Sequence, residues 1–278
     1  MEFTSPVGEQ RYADLASVAA TAVIALDFDG TLAPIVDDPA RAHIHPDAGQ
    51  VLGDLAEKVA AIAVVTGRPA RQVLDLGGLE EVGDVLAAHG KELYVFGQYG
   101  NERWSSSHRT IRGPRPPVGL ATFLRELPRA LRQAGASEAF VEDKGLAIAV
   151  HTRRMADPDG AFDRLLPLLR SLADEHDLAL EPGRQVIEVR DGGMDKGLAL
   201  DKLVEDLGAH GVLFAGDDLG DVEAFESVEA WGKNGLATLR VCSASGEESA
   251  LVTMADVVVH GPDGVLDLLR QLVRDARG

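Results

Sequence analysis

Five aspartates follow two short apolar segments of the chain and could do chemistry together. They are Asp27, Asp29, Asp217, Asp218 and Asp221. Carboxylates gathered this densely repel one another unless a hard cation neutralises them. Mg²⁺ is such a cation: it binds a few carboxylates, and water and phosphate complete its coordination shell. The alternative is that they are ordinary turn and helix-capping aspartates, which are common at strand-to-helix corners. The joint occurrence of the two groups favours a metal-assisted site.

The elements that must position these aspartates are those of an α/β fold. Apolar segments that end in polar residues predict buried parallel strands at 23–26, 61–65, 85–88 and 212–215. A helical spacing of apolar residues over 47–59 follows the first of them. Such alternation predicts an open parallel sheet, in which ligands bind beyond the carboxyl ends of the strands.

The middle of the chain predicts a separate lobe. It begins with the stiff connector GPRPP at 113–117, and residues 146–152 alternate with the period of a strand that has unequal faces. The predicted order is helix, strand, strand, helix, strand and strand, over residues 118–133, 139–143, 146–152, 158–176, 178–181 and 186–189. We therefore expect a core made of residues 1–112 and 191–278, with the lobe at 113–190.

Four segments resemble, in order and spacing, the motifs of haloacid-dehalogenase (HAD) superfamily phosphatases. They are DFDGT at 27–31, TGR at 66–68, KG at 196–197 and GDDLGD at 216–221. The resemblance implies a HAD-like Rossmannoid parallel-sheet core, with the lobe as an inserted C2B-type α-β-β-α-β-β cap domain. No GxxxxGK[ST] loop and no strand-linked GxGxxG is present, which disfavours P-loop and dinucleotide-binding proteins.

The same resemblance implies a role for each matching residue. Asp27 would be the nucleophile, Asp29 the general acid and base, and Thr66 and Lys196 would hold phosphate oxygens. The residues implied to bind Mg²⁺ are Asp27, Asp29 through its main-chain carbonyl, Asp217, Asp218 and Asp221. A carboxylate can attack phosphorus once a cation and Lys196 remove the repulsion between the two anions. Taken singly, Thr66 would be a helix N-cap and Lys196 a surface lysine.

The lobe, and the segment just before it, resemble trehalose-6-phosphate phosphatases. The matching segments are GQYGNE at 97–102, EDKG at 142–145, HTR at 151–153 and EVR at 188–190. The resemblance implies that substrate is bound by Arg68, Glu102, Glu142, Lys144 and Glu188. Charged side chains two apart on one strand face can make directional hydrogen bonds to sugar hydroxyls. The alternative is a solvated hairpin in which Glu142 and Lys144 pair with each other.

Four positions depart from the pattern of that family. Tyr99 stands where histidine is usual, Gly220 and Val222 stand where threonine and glutamate are usual, and Asp191 stands where a proline often follows EVR. None of the departures removes a catalytic carboxylate. They bear on the choice of substrate.

Composition narrows the class of partner. With 45 acidic and 27 basic residues, the net charge of −18 disfavours nucleic-acid binding, which needs clustered Lys and Arg. Cys242 is the single cysteine, so neither an internal disulfide nor a thiolate metal cluster can form. The apolar stretch 15–26 is too short to span a bilayer. We expect a cytoplasmic protein, a monomer, without nucleic-acid or membrane partners.

These observations together predict a Mg²⁺-dependent phosphatase. The resemblance implies trehalose 6-phosphate as the substrate and an aspartyl-phosphate intermediate. One alternative is a phosphatase for another sugar phosphate, such as sucrose phosphate. The other is a non-catalytic module that binds sugar phosphates.

Overall fold

The computed structural model describes residues 1–36, 38–244 and 250–276. The chain forms two compact units, one of Met1–Gly113 with Asp195–Gly278 and one of Pro114–Met194. The strands are β1 (Glu2–Phe3), β2 (Ala22–Leu26), β3 (Ala61–Val65), β4 (Leu93–Gly97), β5 (Glu102–Ser105), β6 (Phe140–Asp143), β7 (Ala147–His151), β8 (Ala179–Gly183), β9 (Val186–Arg190), β10 (Gly211–Gly216), β11 (Ala237–Ala244) and β12 (Val257–His260). The helices are α1 (Pro6–Ser17), α2 (Ala48–Ala56), α3 (Ala70–Gly77), α4 (Leu79–Ala88), α5 (Val118–Gln133), α6 (Pro158–Asp174), α7 (Lys196–Leu207), α8 (Val222–Lys233) and α9 (Gly261–Asp275). Among the described residues, none of the helices has the length and apolar character needed to cross a bilayer.

The first unit is built on an eight-stranded sheet in the order β1-β12-β11-β10-β2-β3-β4-β5. The strands from β12 to β4 are parallel, and the outer strands β1 and β5 are antiparallel to their neighbours. Strands β2, β3 and β10 are buried at every residue, as is typical of parallel strands covered on both faces. Because β2 lies between β10 and β3, the loops that follow these three strands lie at one edge of the sheet.

One predicted strand of this sheet is wrong. Residues 85–88 belong to helix α4, where Leu86 is buried and Val85 is exposed, and the strand is instead β4 at Leu93–Gly97. A four-residue apolar run is too short to show whether its period is that of a helix or a strand. The other predicted strands correspond to β2, β3 and β10.

The second unit has a four-stranded antiparallel sheet in the order β6-β7-β9-β8, with helices α5 and α6. Alternate strand residues, among them Ile148, Val150, Ile187 and Val189, form a hydrophobic core with these helices. Successive side chains of a strand point to opposite faces, so the residues between them lie on the other face of the sheet.

Candidate active site

Asp27 and Asp217 follow the neighbouring parallel strands β2 and β10, so they lie at the same end of the sheet. The Asp27 amide donates to the carbonyl of Ala215 (2.8 Å), which extends the strand pairing to the aspartate itself. Asp221 lies in the turn just before α8. One carboxylate oxygen from each of the three aspartates lies within 4.8 Å of the others, and all three residues are buried.

Lys196 joins two of these carboxylates. It is the first residue of α7, whose N-terminus is capped by the Asp195 side chain accepting from the Leu198 amide (2.8 Å). Its Nζ donates to Oδ1 of Asp27 (2.8 Å) and to Oδ1 of Asp221 (2.6 Å). The helix therefore places its first side chain at the carboxyl end of β2.

Asp221 also shapes the loop that carries Asp217. Its Oδ2 accepts from the amides of Asp217 (3.0 Å) and Asp218 (3.3 Å). Gly30, with φ +67°, lies against Asp217 so closely that a Cβ at position 30 would overlap the carboxylate. A side chain there is disfavoured twice, by the left-handed backbone and by the lack of space.

Burial and crowding shift the pKa values of this cluster. Burial raises the pKa of Asp27 well above its ordinary value, against the attraction of Lys196 and together with the repulsion of Asp221. Burial, followed by repulsion from Asp27 and Asp218, raises the pKa of Asp217 to about 9. Burial also raises the pKa of Asp221. Burial lowers the pKa of Lys196, but the attraction of Asp221 and Asp27 outweighs it and the net pKa is raised.

The donor set fits a hard divalent cation. Three buried carboxylates face the single ammonium group of Lys196, so negative charge is in excess when all are ionised. Carboxylate oxygens are the ligands that such cations prefer. The two oxygens of Asp221 accept from Lys196 and from backbone amides, and all three carboxylates lie close enough together to share an ion.

Asp29 is held by Arg68. The guanidinium Nε donates to Oδ2 of Asp29 (2.6 Å) and Nη2 donates to Oδ1 (2.7 Å), while Nη1 donates to the carbonyl of Pro39 (2.8 Å). This two-pronged geometry is the strong form of an arginine–carboxylate pair. All three nitrogens of the Arg68 guanidinium thus donate hydrogen bonds within the protein. Nothing in the sequence predicted these bonds.

The remaining predicted residues of the first unit have clear structural partners. Thr66 is buried after β3, and its Oγ1 accepts from the amide of Arg68 (3.2 Å). Asp218 is exposed, lies outside the group of three aspartates, and its Oδ1 accepts from the amide of Gly220 (2.8 Å). Glu102 accepts through Oε2 from the amide of Ala70 (2.6 Å), the first residue of α3. Its other oxygen accepts from Nε2 of Gln98 (3.3 Å).

Glu142, Lys144 and Glu188 come together on the sheet face of the second unit that is opposite its hydrophobic core. Glu142 and Glu188 pair with Ala149 from its two sides. Lys144 Nζ donates to Oε2 of Glu188 (2.5 Å). Glu188 is only 5% exposed, and its Oε1 has no hydrogen-bond partner among the described residues.

His151 is a further member of this polar face; it lies in the matching segment HTR, but the sequence comparison gave it no role. Its Nε2 lies 3.0 Å from Oε2 of Glu142, and its ring contacts the ring of Phe140. The signal was present in the sequence, because the period-two alternation of β7 puts His151 on the same face as Ala149.

The family is decided by comparison with known proteins. The family model described as Trehalose-phosphatase matches residues 25–257. The chain belongs to the trehalose-phosphatase family. The predicted resemblance and the HAD-like α/β fold class are confirmed.

The relatives of this chain differ in length. An uncharacterized glycosyl hydrolase of Mycobacterium tuberculosis is 35% identical over 218 residues, which are 74% of this chain and 15% of that protein. A probable trehalose-phosphate phosphatase H of Arabidopsis thaliana is 30% identical over 264 residues, 90% of this chain and 71% of that protein. The C-terminal domain of a C. albicans trehalose-6-phosphate phosphatase has the same fold, with a TM-score of 0.75 at 22% identity over 97% of this chain and 96% of that one.

Proposed function

We propose that the chain is a Mg²⁺-dependent phosphatase that hydrolyses trehalose 6-phosphate to trehalose and phosphate. The observation that carries this proposal is the bridge from Lys196 to Asp27 and Asp221 beside Asp217. This arrangement brings together, in one buried site, the proposed nucleophile, the ammonium group of Lys196 and carboxylates that could bind a metal ion. Membership of the trehalose-phosphatase family supports the substrate.

In the first step Asp27 attacks the phosphorus of the substrate. A bond forms between a carboxylate oxygen and phosphorus, and the bond from phosphorus to the sugar oxygen breaks. Asp29 gives its proton to the departing sugar oxygen. Lys196 and the Thr66 hydroxyl hold phosphate oxygens, and the ammonium group offsets the negative charge that accumulates beside Asp27.

In the second step water attacks the phosphorus of the aspartyl phosphate. Asp29 takes the proton of that water, the bond between phosphorus and the Asp27 oxygen breaks, and phosphate leaves. The contact with Arg68 holds the Asp29 carboxyl group in place through both steps. Asp27 and Asp217 would hold Mg²⁺, which would supply positive charge and so weaken the repulsion between the attacking carboxylate and the phosphate.

Residues 113–190 are the cap domain in this proposal, and the polar face of their sheet binds the sugar. Glu142, Lys144 and Glu188 make hydrogen bonds to sugar hydroxyls. The unpartnered Oε1 of buried Glu188 supports this, since a buried carboxylate oxygen without a donor is unfavourable. In this proposal Arg68 positions Asp29, and Glu102 positions the loop that follows β3 through the amide of Ala70.

The compartment and oligomeric state are also proposals. A cytoplasmic location is supported by the single cysteine, Cys242. One cysteine cannot form an internal disulfide, so the fold does not need an oxidising compartment. We propose a monomer, and light scattering of the purified chain measures that directly.

The experiment measures phosphate release from trehalose 6-phosphate, glucose 6-phosphate and sucrose 6-phosphate, each with Mg²⁺ and with EDTA. We expect trehalose 6-phosphate to be hydrolysed fastest, EDTA to abolish release, and added Mg²⁺ to restore it. Asp27→Asn keeps the size of the side chain but removes the nucleophile, and we expect no turnover. Faster release from sucrose 6-phosphate would overturn the substrate, and full activity of Asp27→Asn would overturn the mechanism.

A further inference from the structure

The turn that follows β4 has an unusual backbone. Gln98 and Tyr99 are consecutive non-glycine residues with positive φ, +47° and +60°. Left-handed backbone is unfavourable for residues with a Cβ, so it persists only where the surroundings enforce it. Here the Gln98 amide donates to the carbonyl of Arg68 (2.8 Å) and the Tyr99 amide donates to the carbonyl of Thr66 (2.9 Å). The turn is therefore fastened to the loop that carries two of the proposed active-site residues.

The Tyr99 ring lies between two glycines of the active-site loops. A Cβ at Gly67 would lie 2.8 Å from Cζ and 2.9 Å from Oη of Tyr99. A Cβ at Gly220 would lie 3.8 Å from Cε1, on the other edge of the ring. Gly67 follows β3 and Gly220 belongs to the loop after β10.

The order of the strands places this ring across the end of β2. In the sheet β2 lies directly between β3 and β10, and Asp27 is the residue that follows β2. The ring therefore lies at the carboxyl end of the sheet, between the loops that flank the strand leading to Asp27. The half-buried Tyr99 is therefore beside the place where the phosphate and the group attached to it must sit.

We propose that Tyr99, with the space left by Gly220, is a specificity-determining contact for the phosphorylated sugar ring. A rigid aromatic side chain offers a large apolar surface with little entropy to lose, which suits the face of a pyranose ring next to the scissile phosphate. The proposal rests on the proposed phosphatase function and adds to it a sugar contact from the first unit. This contact accounts for two departures from the family pattern, at positions 99 and 220. A side chain at position 220 larger than alanine would extend toward the ring of Tyr99.

The test compares a sugar phosphate with acetyl phosphate, which has no ring. For Tyr99→Ala we expect kcat/KM on trehalose 6-phosphate to fall about tenfold, while kcat/KM on acetyl phosphate changes less than about twofold. Tyr99→Phe keeps the ring and should keep the wild-type ratio of kcat/KM between trehalose 6-phosphate and acetyl phosphate. Equal losses on the two substrates would overturn the proposal, since a structural role of Tyr99 would damage both reactions alike.

Gly220 provides a second, independent arm. A Cβ there also lies 3.1 Å from Oδ1 of Asp218, a contact that alanine and threonine share, so Gly220→Ala is the matched control for Gly220→Thr. We expect Gly220→Thr, but not Gly220→Ala, to lower kcat/KM on trehalose 6-phosphate selectively, and the effect to vanish in a Tyr99→Ala background. Additive effects of the two substitutions would overturn the coupling.

The two proposals fail in different ways. If the wild type does not hydrolyse trehalose 6-phosphate, the proposed function is wrong. The effect of Tyr99→Ala is then measured on the sugar phosphate that is turned over, again relative to acetyl phosphate. If no ester is turned over, titration of trehalose 6-phosphate and of inorganic phosphate into wild type and Tyr99→Ala replaces the kinetics. A Tyr99→Ala protein that binds the sugar phosphate as tightly as wild type, or wild type that binds neither compound, overturns the contact.

Discussion

Asp217 is the proposed metal ligand whose protonation we expect to oppose cation binding. In the metal-free protein its pKa of about 9 lies above its ordinary value of 3.8, because the carboxylate is buried among other acids. A group with a raised folded-state pKa stabilises the fold below its unfolded pKa, and this contribution is lost as pH rises through the folded pKa. Cation binding needs the ionised form, so Mg²⁺ should oppose the loss.

Thermal unfolding with EDTA and with Mg²⁺ measures this coupling. Between about pH 6 and pH 9 we expect Tm to fall in EDTA and the gain from Mg²⁺ to grow as the pH rises. Asp217→Asn should show little gain at any pH. The same gain from Mg²⁺ across the whole range would contradict the assignment of Asp217 as a ligand.

Arg68 acts on Asp29 through the shape of its guanidinium group. Lysine at this position has one ammonium group and cannot bond both carboxylate oxygens and the Pro39 carbonyl in the same way. We expect Arg68→Lys to lower kcat about 10- to 100-fold with little change in KM, because Asp29 is misplaced rather than lost. Arg71→Lys, at an exposed arginine nearby, is the control and should leave both constants unchanged. An unaltered kcat in Arg68→Lys would exclude the positioning role.

At the scale of elements, the start of α7 decides where Lys196 lies. The helix begins at Lys196, and the Asp195 side chain caps it through the Leu198 amide. We expect Asp195→Ala to destabilise the protein by about 1 kcal/mol and also to lower kcat, while Asp195→Asn keeps most of both. Denaturant unfolding and steady-state kinetics measure the two effects.

A second helix cap provides the comparison. Ser5 caps α1 by accepting from the Gly8 amide (3.1 Å), and it plays no part in the proposed chemistry. Ser5→Ala should lose a similar amount of stability without a change in kcat. If both alanine variants lower kcat equally, the effect belongs to stability and not to the position of Lys196.

At the scale of the whole molecule, the net charge of −18 opposes an anionic substrate. Like-charged partners associate faster when salt screens their repulsion. At saturating Mg²⁺ we therefore expect kcat/KM for trehalose 6-phosphate to rise between about 20 and 300 mM KCl, whereas kcat should stay constant. A fall in kcat/KM would show that the local field at the site is attractive and outweighs the net charge.

The sequence by itself predicted the chemistry and the central strands of the first unit. Apolar runs that end in aspartate or threonine located β2, β3 and β10, because a buried parallel strand has no polar residues until it leaves the sheet. The resemblance of the motifs to those of HAD superfamily phosphatases then implied that Asp27, Lys196, Asp217 and Asp221 form one group. The short run at 85–88 failed because four apolar residues suit a helix face and a buried strand equally well.

Only the tertiary structure decided what each charged group touches. The pairing of Arg68 with Asp29, the use of Glu102 on the first amide of α3, and the bridge from Lys144 to Glu188 all join residues far apart in the chain. The position of Tyr99 between Gly67 and Gly220 depends on the order of the strands in the sheet. Residue types limit which bonds a side chain can form, but the partner is chosen by the packing that brings distant segments together.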